Sequence, residues 1–318
     1  MRVAVFAVDE MFDSGLTAIL DILETANVLS AQAGLAAPPF QVTTAGLGPG
    51  VRTARGLHLA TTPWREIADD PPEVAVMPAM GLRPPAEIVD AVSGHSLLPA
   101  VTALCEGGTG MAAACSGTFF LAEAGILDGL AATTSWWLGT TFRSRYPRVD
   151  LDQSRTLAIA GNITTGGAGF AHIDLALSVV HRLSPVLADL TARYLVLGDR
   201  PSQAAAAVPS LLADGDPVVA SFERHIREHL SEPVRIEDAA RAIGVSERTL
   251  QRATASTLGM SPVRFVQEVR LEQATYLLRT TSQTPDAIAA AIGYTDAGTL
   301  RSLMRRRRNT TLAALRRI

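Results

Sequence analysis

The sequence contains no lysine, two cysteines and few aromatic residues. Cys105 and Cys115 cannot form a disulfide scaffold, and with no histidine nearby they do not fit a zinc site. No apolar stretch free of glycine and charge reaches about 18 residues, so no membrane span is expected. The apolar run 3–8 ends at Asp9 and Glu10 and is too short for a signal peptide. These absences predict a cytoplasmic protein without a metal site, and no cofactor is expected.

Charge is distributed unevenly along the chain, although the formal net charge is only −3. Residues 1–217 carry 12 Arg against 21 Asp and Glu, whereas residues 218–318 carry 16 Arg against 10 acidic residues. A basic, arginine-rich C-terminal third on an acidic body indicates an end that binds nucleic acid.

The first two-thirds of the chain alternate short apolar runs with helical patterns, which is typical of a mostly parallel sheet covered by helices on both faces. The predicted strands are Val3–Val8, Phe40–Thr44, Val74–Met77, Met111–Ala114 and Leu157–Ile163, and the predicted helices are Leu16–Leu29, Ile88–Cys105 and Ala171–Leu183. We therefore expect an α/β domain over residues 1–200. An Ala- and Pro-rich linker is expected over 201–217, followed by an all-α domain over 218–318.

Two segments of the C-terminal domain share one pattern, a short apolar helix, a glycine turn and a second helix. In the first, Gly244 permits a left-handed turn and Ser246 can cap the next helix. The second repeats the pattern around Gly293, and a long helix over 262–278 joins the two. Such a pair would place two second helices in successive major-groove segments on one face of DNA, about 34 Å apart.

The whole C-terminal domain resembles the DNA-binding domain of the AraC/XylS family. The matching stretches are Arg235–Ala240, Ser246–Arg252, Leu258–Pro262, Arg270–Ala274 and Ile288–Tyr294. The resemblance implies that Arg248, Gln251 and Arg252 face base edges, arginine suiting guanine and glutamine suiting adenine. The further predicted DNA-contacting residues are Ser246, Thr249, Thr299, Arg301, Ser302, Arg305 and Arg306.

The second recognition helix departs from the family pattern. The expected base-reading positions hold Ala297, Gly298, Thr299 and Ser302, which are poor readers, while Met304 and Asn309 replace the usual aromatic residue and glycine. We therefore expect Arg301 and the run 305–308 to contact mainly phosphates. The alternative is that this run is a solvated helix face, as part of it must be.

A second motif surrounds Cys115, where a predicted strand runs through a turn of small residues into a helix. Such a turn can hold a nucleophile in a strained conformation, and a helix N-terminus lowers the pKa of a thiol. It equally suits a buried structural cysteine. With the stretches 126–129 and 132–134, it resembles the PfpI-like group of the class I glutamine amidotransferase-like superfamily. More narrowly, the whole chain resembles GlxA-type regulators, which fuse this domain to an AraC domain.

The resemblance implies a pocket near Cys115 and Ser116 that also includes Trp136 and Asp13. Asp13 lies at the position of the family's acid, with Asp9 and Glu10 nearby as weaker candidates. The family's histidine is replaced by Ser135, whose hydroxyl cannot serve as the base. We therefore predict a retained pocket without catalysis. Trp136 and Trp137 could line that pocket or serve packing, and the second is favoured.

The resulting hypothesis is a ligand-responsive transcriptional regulator that binds promoter DNA, and the resemblance implies that it acts as an activator. The resemblance further implies a homodimer, contact with RNA polymerase and a small effector, by default nitrogenous. One alternative is a Cys-dependent hydrolase, hydratase or deglycase fused to a DNA-binding domain. Another is an N-terminal domain that serves only dimerisation.

Overall fold

The computed structural model describes residues 1–35, 38–77, 79–81, 83–197, 209, 213 and 216–316. By its internal contacts the chain divides into two compact units, Met1–Gln203 and Ala204–Ile318. The predicted linker lies outside the described residues except at 209, 213, 216 and 217, so the exact domain limits stay predictions. Within the described residues no helix is both long and apolar enough to span a membrane.

The N-terminal unit is built on a seven-stranded sheet flanked by helices. Its strands are β1 (Arg2–Phe6), β2 (Gln41–Gly46), β3 (Gly50–Arg52), β4 (His58–Ala60), β5 (Thr62–Pro63), β6 (Val74–Met77), β7 (Gly110–Ala114), β8 (Ala131–Ala132), β9 (Asp150–Leu151), β10 (Leu157–Ala160) and β11 (Ile163–Gly166). Its helices are α1 (Asp13–Leu29), α2 (Pro85–Val92), α3 (Leu98–Glu106), α4 (Thr118–Glu123), α5 (Gly139–Arg145), α6 (Ala171–Leu183) and α7 (Pro185–Tyr194).

The sheet has the order β10-β11-β7-β6-β1-β2-β5 and is parallel except for the edge strand β10. All residues of β6 and β7 are buried, as their uninterrupted apolar sequences predict for central strands covered on both faces. The expected α/β architecture is therefore confirmed. Because β1, β6 and β7 run parallel, their carboxyl ends lie at the same edge of the sheet, and so do the loops that follow them.

Two predicted elements need correction. The stretch Ile88–Cys105 is two helices, α2 and α3, because the chain turns at Gly94 with a positive φ of 69°. The stretch Leu157–Ile163 is an antiparallel hairpin of β10 and β11 that turns at Gly161 with a φ of 60°. In both cases a glycine adopts the left-handed conformation and ends an otherwise apolar run.

The C-terminal unit is helical over its described residues. Its helices are α8 (Pro217–Glu228), α9 (Ile236–Ala242), α10 (Glu247–Leu258), α11 (Pro262–Thr280), α12 (Pro285–Ala291), α13 (Ala297–Arg308) and α14 (Leu312–Leu315). It has two separate apolar clusters, and α11 contributes its first half to one and its second half to the other.

Candidate functional site

The first helix-turn-helix unit comprises α9, a tight turn and α10. Gly244 takes a φ of 78°, which confirms the predicted left-handed turn. Ser246 caps α10 by accepting a hydrogen bond from the Thr249 backbone N–H at 3.1 Å, also as predicted. Ala240 and Leu250 are buried and fix the two helices against each other.

The outer face of α10 presents Arg248, Gln251 and Arg252, all exposed. The Gln251 amide donates to the Glu247 carboxylate at 2.8 Å, which uses one of its two N–H groups and leaves its carbonyl oxygen to accept from a base. Ser246 and Thr249 also hydrogen-bond through their hydroxyls at 2.8 Å. Two exposed guanidinium groups on one helix face suit base edges and phosphates.

The second helix-turn-helix unit comprises α12, a turn at Gly293 with a φ of 77°, and α13. Asp296 caps α13 by accepting from the Thr299 backbone N–H at 2.9 Å, and its carboxylate also accepts from the Thr299 hydroxyl at 3.2 Å. Thr299, Arg301 and Ser302 are exposed on α13. The Thr299 hydroxyl is therefore hydrogen-bonded to the capping carboxylate, and it would have to release this partner to donate to DNA.

The arginine run at the end of α13 divides into exposed and buried members. Arg305 and Arg306 are exposed, in keeping with phosphate contacts. Arg308 is only 5% exposed, and its guanidinium pairs with the Glu268 carboxylate of α11 at 2.9 Å. The expectation that the whole run 305–308 meets phosphate is therefore wrong for Arg308, which ties α13 to the joining helix.

Asn309 and Met304 show how the chain accommodates its departures from the AraC pattern. Asn309 ends α13 in the left-handed conformation with a φ of 48°, a conformation that asparagine tolerates better than most residues. Met304 is fully buried and fills the apolar cluster of the second unit. Both substitutions keep the local fold.

Arg270 of α11 connects the two helix-turn-helix units of the C-terminal domain through polar contacts. Its guanidinium donates to the Glu232 backbone carbonyl at 2.5 Å and to the Gly293 carbonyl at 3.4 Å. It also lies 5.4 Å from the Tyr294 ring centroid. These contacts fix the turn at Gly293 against the loop between α8 and α9, directly before the first helix-turn-helix unit. The sequence offered only the family resemblance of 270–274 as a signal for this role.

Cys115 occupies a strained turn between β7 and α4. Its φ is 53°, which confirms the predicted strained conformation, since a non-glycine residue rarely adopts it. The flanking Ala113 and Gly117 are buried, as the small-residue pattern indicated. The Cys115 side chain is only 4% exposed.

The surroundings of Cys115 stabilise the thiol and not the thiolate. Its Sγ lies 2.8 Å from the Ser135 Oγ, which donates to it. Burial raises the pKa of the Cys115 thiol despite hydrogen bonds from Ser135 and Ser116 that lower it. The expected lowering by the helix N-terminus is therefore wrong, because desolvation outweighs it. The thiol is protonated at neutral pH.

The other predicted pocket residues do not all converge on Cys115. Ser116 is buried, and its Oγ accepts from the Met80 backbone N–H at 2.9 Å. Asp13 accepts from the Thr53 hydroxyl at 2.5 Å and from the Arg55 backbone N–H at 3.3 Å. Its hydrogen bonds are thus directed to the β3–β4 hairpin region.

Trp136 is half-buried next to Ser135 in the chain, and its backbone carbonyl accepts from the Gln153 amide at 2.7 Å. Of the predicted pocket residues on this segment, Ser135 lies directly beside Cys115, with which its hydroxyl is hydrogen-bonded. The pocket roles of Asp13 and Trp136 stay predictions.

His172 is a buried histidine near this edge of the sheet. Its Nε2 accepts from the Ala79 backbone N–H at 3.2 Å, and its Nδ1 lies 2.8 Å from the Gly169 carbonyl, to which it donates. Burial lowers the pKa of His172 to about 4, so the ring is neutral at pH 7. Both ring nitrogens are engaged with the backbone, which makes the ring a structural link between two loops.

Four charged residues that the sequence analysis did not join lie together on this edge of the sheet. A groove at the carboxyl ends of β1 and β6 is lined by Asp9, Glu10, Arg52 and Arg83 among others. The only sequence signal was the acidic pair directly after the first strand. Within the described residues no cluster of three or more His, Cys, Asp or Glu could hold a metal ion.

Comparison with known families supports both halves of this description. The family described as helix-turn-helix domain matches residues 239–318. The chain is 27% identical over 192 residues to the HTH-type transcriptional regulator GbdR of Pseudomonas aeruginosa, covering 59% of this chain and 52% of GbdR. It is 31% identical over 187 residues to CdhR of the same organism, covering 56% of this chain and 54% of CdhR. The chain thus spans about half the length of these two regulators.

A third regulator, GlxA of Rhizobium meliloti, is 25% identical over 243 residues, covering 73% of this chain and 72% of GlxA. Among solved structures, oxidised DJ-1 of Toxoplasma gondii is 18% identical with a TM-score of 0.50 and covers 62% of this chain and 99% of DJ-1. A proposed transcriptional regulator of Vibrio parahaemolyticus is 21% identical with a TM-score of 0.52, covering 61% of this chain and 98% of its own. The two structures show the fold.

The predicted fold and resemblance are thereby confirmed, since an α/β fold like that of DJ-1 precedes a matched helix-turn-helix domain. Its sequence relatives are transcriptional regulators of the same helix-turn-helix type. The chain combines an N-terminal domain with the fold of DJ-1 and a C-terminal domain that matches the helix-turn-helix family over residues 239–318.

Proposed function

We propose that this chain is a transcriptional regulator that binds promoter DNA through both helix-turn-helix units. The observation that carries the proposal is the pair of capped second helices, α10 and α13, in one compact unit. Each presents exposed arginines, Arg248 and Arg252 on the first and Arg301, Arg305 and Arg306 on the second. Exposed arginines on such helices can bind both base edges and phosphates.

Within this proposal the two helices contribute differently. Arg248, Gln251 and Arg252 supply side chains that can discriminate bases. The face of α13 offers Thr299 and Ser302, whose short side chains read bases poorly, with arginines around them. We therefore assign most base discrimination to α10 and most phosphate contact to α13.

The test compares Arg252→Ala and Arg306→Ala of the full chain on a selected binding site and on random DNA. Arg252→Ala should cost about 1–3 kcal/mol on the selected site and relax the preference at one base. Arg306→Ala should weaken binding to both DNAs alike and reduce the salt slope by about 1.

Arg241→Ala is the matched control, because Arg241 is exposed on α9 and already paired with Glu237 and Asp238. It should change neither affinity appreciably. Equal losses by Arg252→Ala and Arg306→Ala on selected and random DNA would contradict this division of roles.

The N-terminal unit serves in this proposal as a sensor of a small effector and not as an enzyme. Support comes from the buried Cys115 thiol with a raised pKa and from Ser135 at the place of a base. A thiol that stays protonated at neutral pH is a poor nucleophile. Homodimerisation and contact with RNA polymerase follow the family resemblance and belong to the same proposal.

The competing function is a Cys-dependent hydrolase, hydratase or deglycase, which the strained turn at Cys115 favours. Purified full chain should give no turnover of amide, isocyanide or glyoxal substrates that depends on Cys115. A rate well above background that Cys115→Ser abolishes would overturn the sensor assignment in favour of the enzyme.

A further inference from the structure

The groove at the carboxyl ends of β1 and β6 has the dimensions of a small-molecule site. Its volume is about 770 Å³, within the range of sites that hold metabolites. Its charged lining comprises Asp9, Glu10, Arg52 and Arg83, and two glycines, Gly56 and Gly81, also line the groove. Crevices outside the carboxyl ends of strands are the usual binding places in open α/β sheets.

The backbone around the groove is tightly constrained. Glu10 adopts a φ of 58°, unusual for a residue with a side chain. Its N–H donates to the Arg52 carbonyl and its carbonyl accepts from the Gly81 N–H, both at 2.7 Å. A Cβ on Gly81 would lie 2.7 Å from that carbonyl oxygen, so only glycine fits. These contacts hold the groove in one conformation, and strained backbone of this kind concentrates at functional sites.

The four charged residues are not all paired with each other. Arg83 forms an ion pair with Glu10. No carboxylate of the described residues lies within ion-pair distance of the exposed Arg52 guanidinium. Its Nη2 lies beside Gly56, 3.4 Å from the position that a Cβ on this glycine would take. Among the described residues, the Asp9 carboxylate accepts a hydrogen bond from the Arg52 backbone N–H at 2.8 Å and forms no ion pair. The groove therefore contains one arginine available for an anion.

The same segments also contact the residues around Cys115. Gly81 follows Met80, whose backbone N–H donates to the Ser116 Oγ. Thr53 follows Arg52 and donates its hydroxyl to Asp13. A ligand at Arg52 would thus touch the chain segments that hold Ser116 and Asp13, without entering the buried space at Cys115.

We propose that this groove is the effector site of the N-terminal unit and that Arg52 binds a carboxylate of a small monoanionic ligand. The guanidinium fork matches a carboxylate through two hydrogen bonds. The Asp9 carboxylate in the same lining disfavours a second negative charge by repulsion, whereas Glu10 is neutralised by Arg83. The proposal rests on the proposed function only in calling the ligand an effector.

The test measures chemical modification of Arg52 in the full chain by phenylglyoxal, followed by peptide mass spectrometry. The probes are sodium acetate, disodium succinate and sodium sulfate, each compared with sodium chloride at equal ionic strength. Acetate should slow the modification of Arg52 at least about twofold by occupying the guanidinium, and the two dianions should protect it less. Arg65, exposed in the same unit and absent from the groove lining, should react at an unchanged rate.

Arg52→Gln and the matched Arg65→Gln supply a second readout. Acetate should raise the melting temperature of Arg65→Gln as it does that of the unchanged chain, while Arg52→Gln should lose that increment over chloride. Absence of protection by acetate, or an increment that survives Arg52→Gln, overturns the site. Stronger protection by succinate or sulfate overturns the monoanionic class.

Binding of random DNA separates this result from the proposed function. Arg52→Gln and Arg65→Gln should bind it as the unchanged chain does. If none of the three proteins bound DNA, the regulator proposal would fail while protection of Arg52 would still report the groove.

Discussion

Alanine at Gly293 and at Gly244 should have very different costs, although both glycines occupy the same place in their helix-turn-helix units. Their φ values are 77° and 78°, so alanine meets the same backbone strain of roughly 1–2 kcal/mol at either position. A Cβ on Gly244 meets no atom within 4 Å. A Cβ on Gly293 would lie 2.5 Å from Arg270 Nη2 and 2.6 Å from the Leu230 carbonyl oxygen.

The extra cost at Gly293 arises from this crowding. Arg270 is buried and hydrogen-bonded to the Glu232 carbonyl, so it cannot move away without losing that contact. Overpacking of this kind typically adds about 1–3 kcal/mol. We therefore expect Gly244→Ala to destabilise the C-terminal unit by roughly 1–2 kcal/mol and Gly293→Ala by roughly 2–5 kcal/mol.

Urea unfolding of the full chain can assign the effect to one unit. All three tryptophans lie in the N-terminal unit, at positions 64, 136 and 137, so tryptophan fluorescence reports that unit alone. Far-ultraviolet circular dichroism reports the helices of both. Gly293→Ala should lower the helical transition well below that of Gly244→Ala while the fluorescence transition stays in place. Equal shifts for the two variants would refute the crowding argument.

Three further predictions concern buried polar groups. Arg308→Met should destabilise the C-terminal unit by about 3 kcal/mol, because it leaves the Glu268 carboxylate, 13% exposed, without its ion-pair partner. The control Arg305→Met should change the free energy of unfolding by less than about 0.5 kcal/mol. Urea unfolding followed by circular dichroism measures both, and equal effects would contradict the pairing. Iodoacetamide at pH 7.5 should alkylate the partly exposed Cys105 before the buried Cys115, because burial raises the pKa of both thiols but shields Cys115 more completely. Mass spectrometry that shows the reverse order would contradict the burial of the Cys115 thiol. The pKa of His172 falls from 6.5 to about 4 on folding, so the unfolded chain binds more protons between these pH values. The neutral ring therefore contributes about 3 kcal/mol to the free energy of unfolding above pH 6.5, and this contribution is lost as the pH falls towards 4. Urea unfolding between pH 7.5 and 4.5 should show a steeper loss of stability for the unchanged chain than for His172→Gln, and parallel losses would count against this argument.

Local patterns made most of the fold predictable. The apolar strands β6 and β7, the glycine turns and the Ser246 cap each depend on neighbouring residues, so the sequence carried their signals. The breaks at Gly94 and Gly161 were missed because an isolated glycine within an apolar run does not show by itself whether the chain turns.

The candidate sites were predictable only in part, because their chemistry depends on contacts between distant segments. The strained turn at Cys115 was visible in its small neighbours, whereas the raised pKa of its thiol follows from burial beneath other loops. Arg308 looked like its exposed neighbours until its contact with Glu268 was seen. The groove around Arg52 joins loops about forty residues apart, and no local pattern indicates it.

Selection of DNA from a random pool by the full chain tests the central claim most directly. The enriched sequences should contain two short elements about one helical turn apart. One element should be strongly specified and the other weakly, because α10 carries better base-reading side chains than α13. Arg252→Ala, selected in parallel, should lose preference within the strong element only. Enrichment of no sequence, or of a single element that Arg252→Ala leaves unchanged, would contradict the assignment of this chain as a regulator that reads DNA with both units.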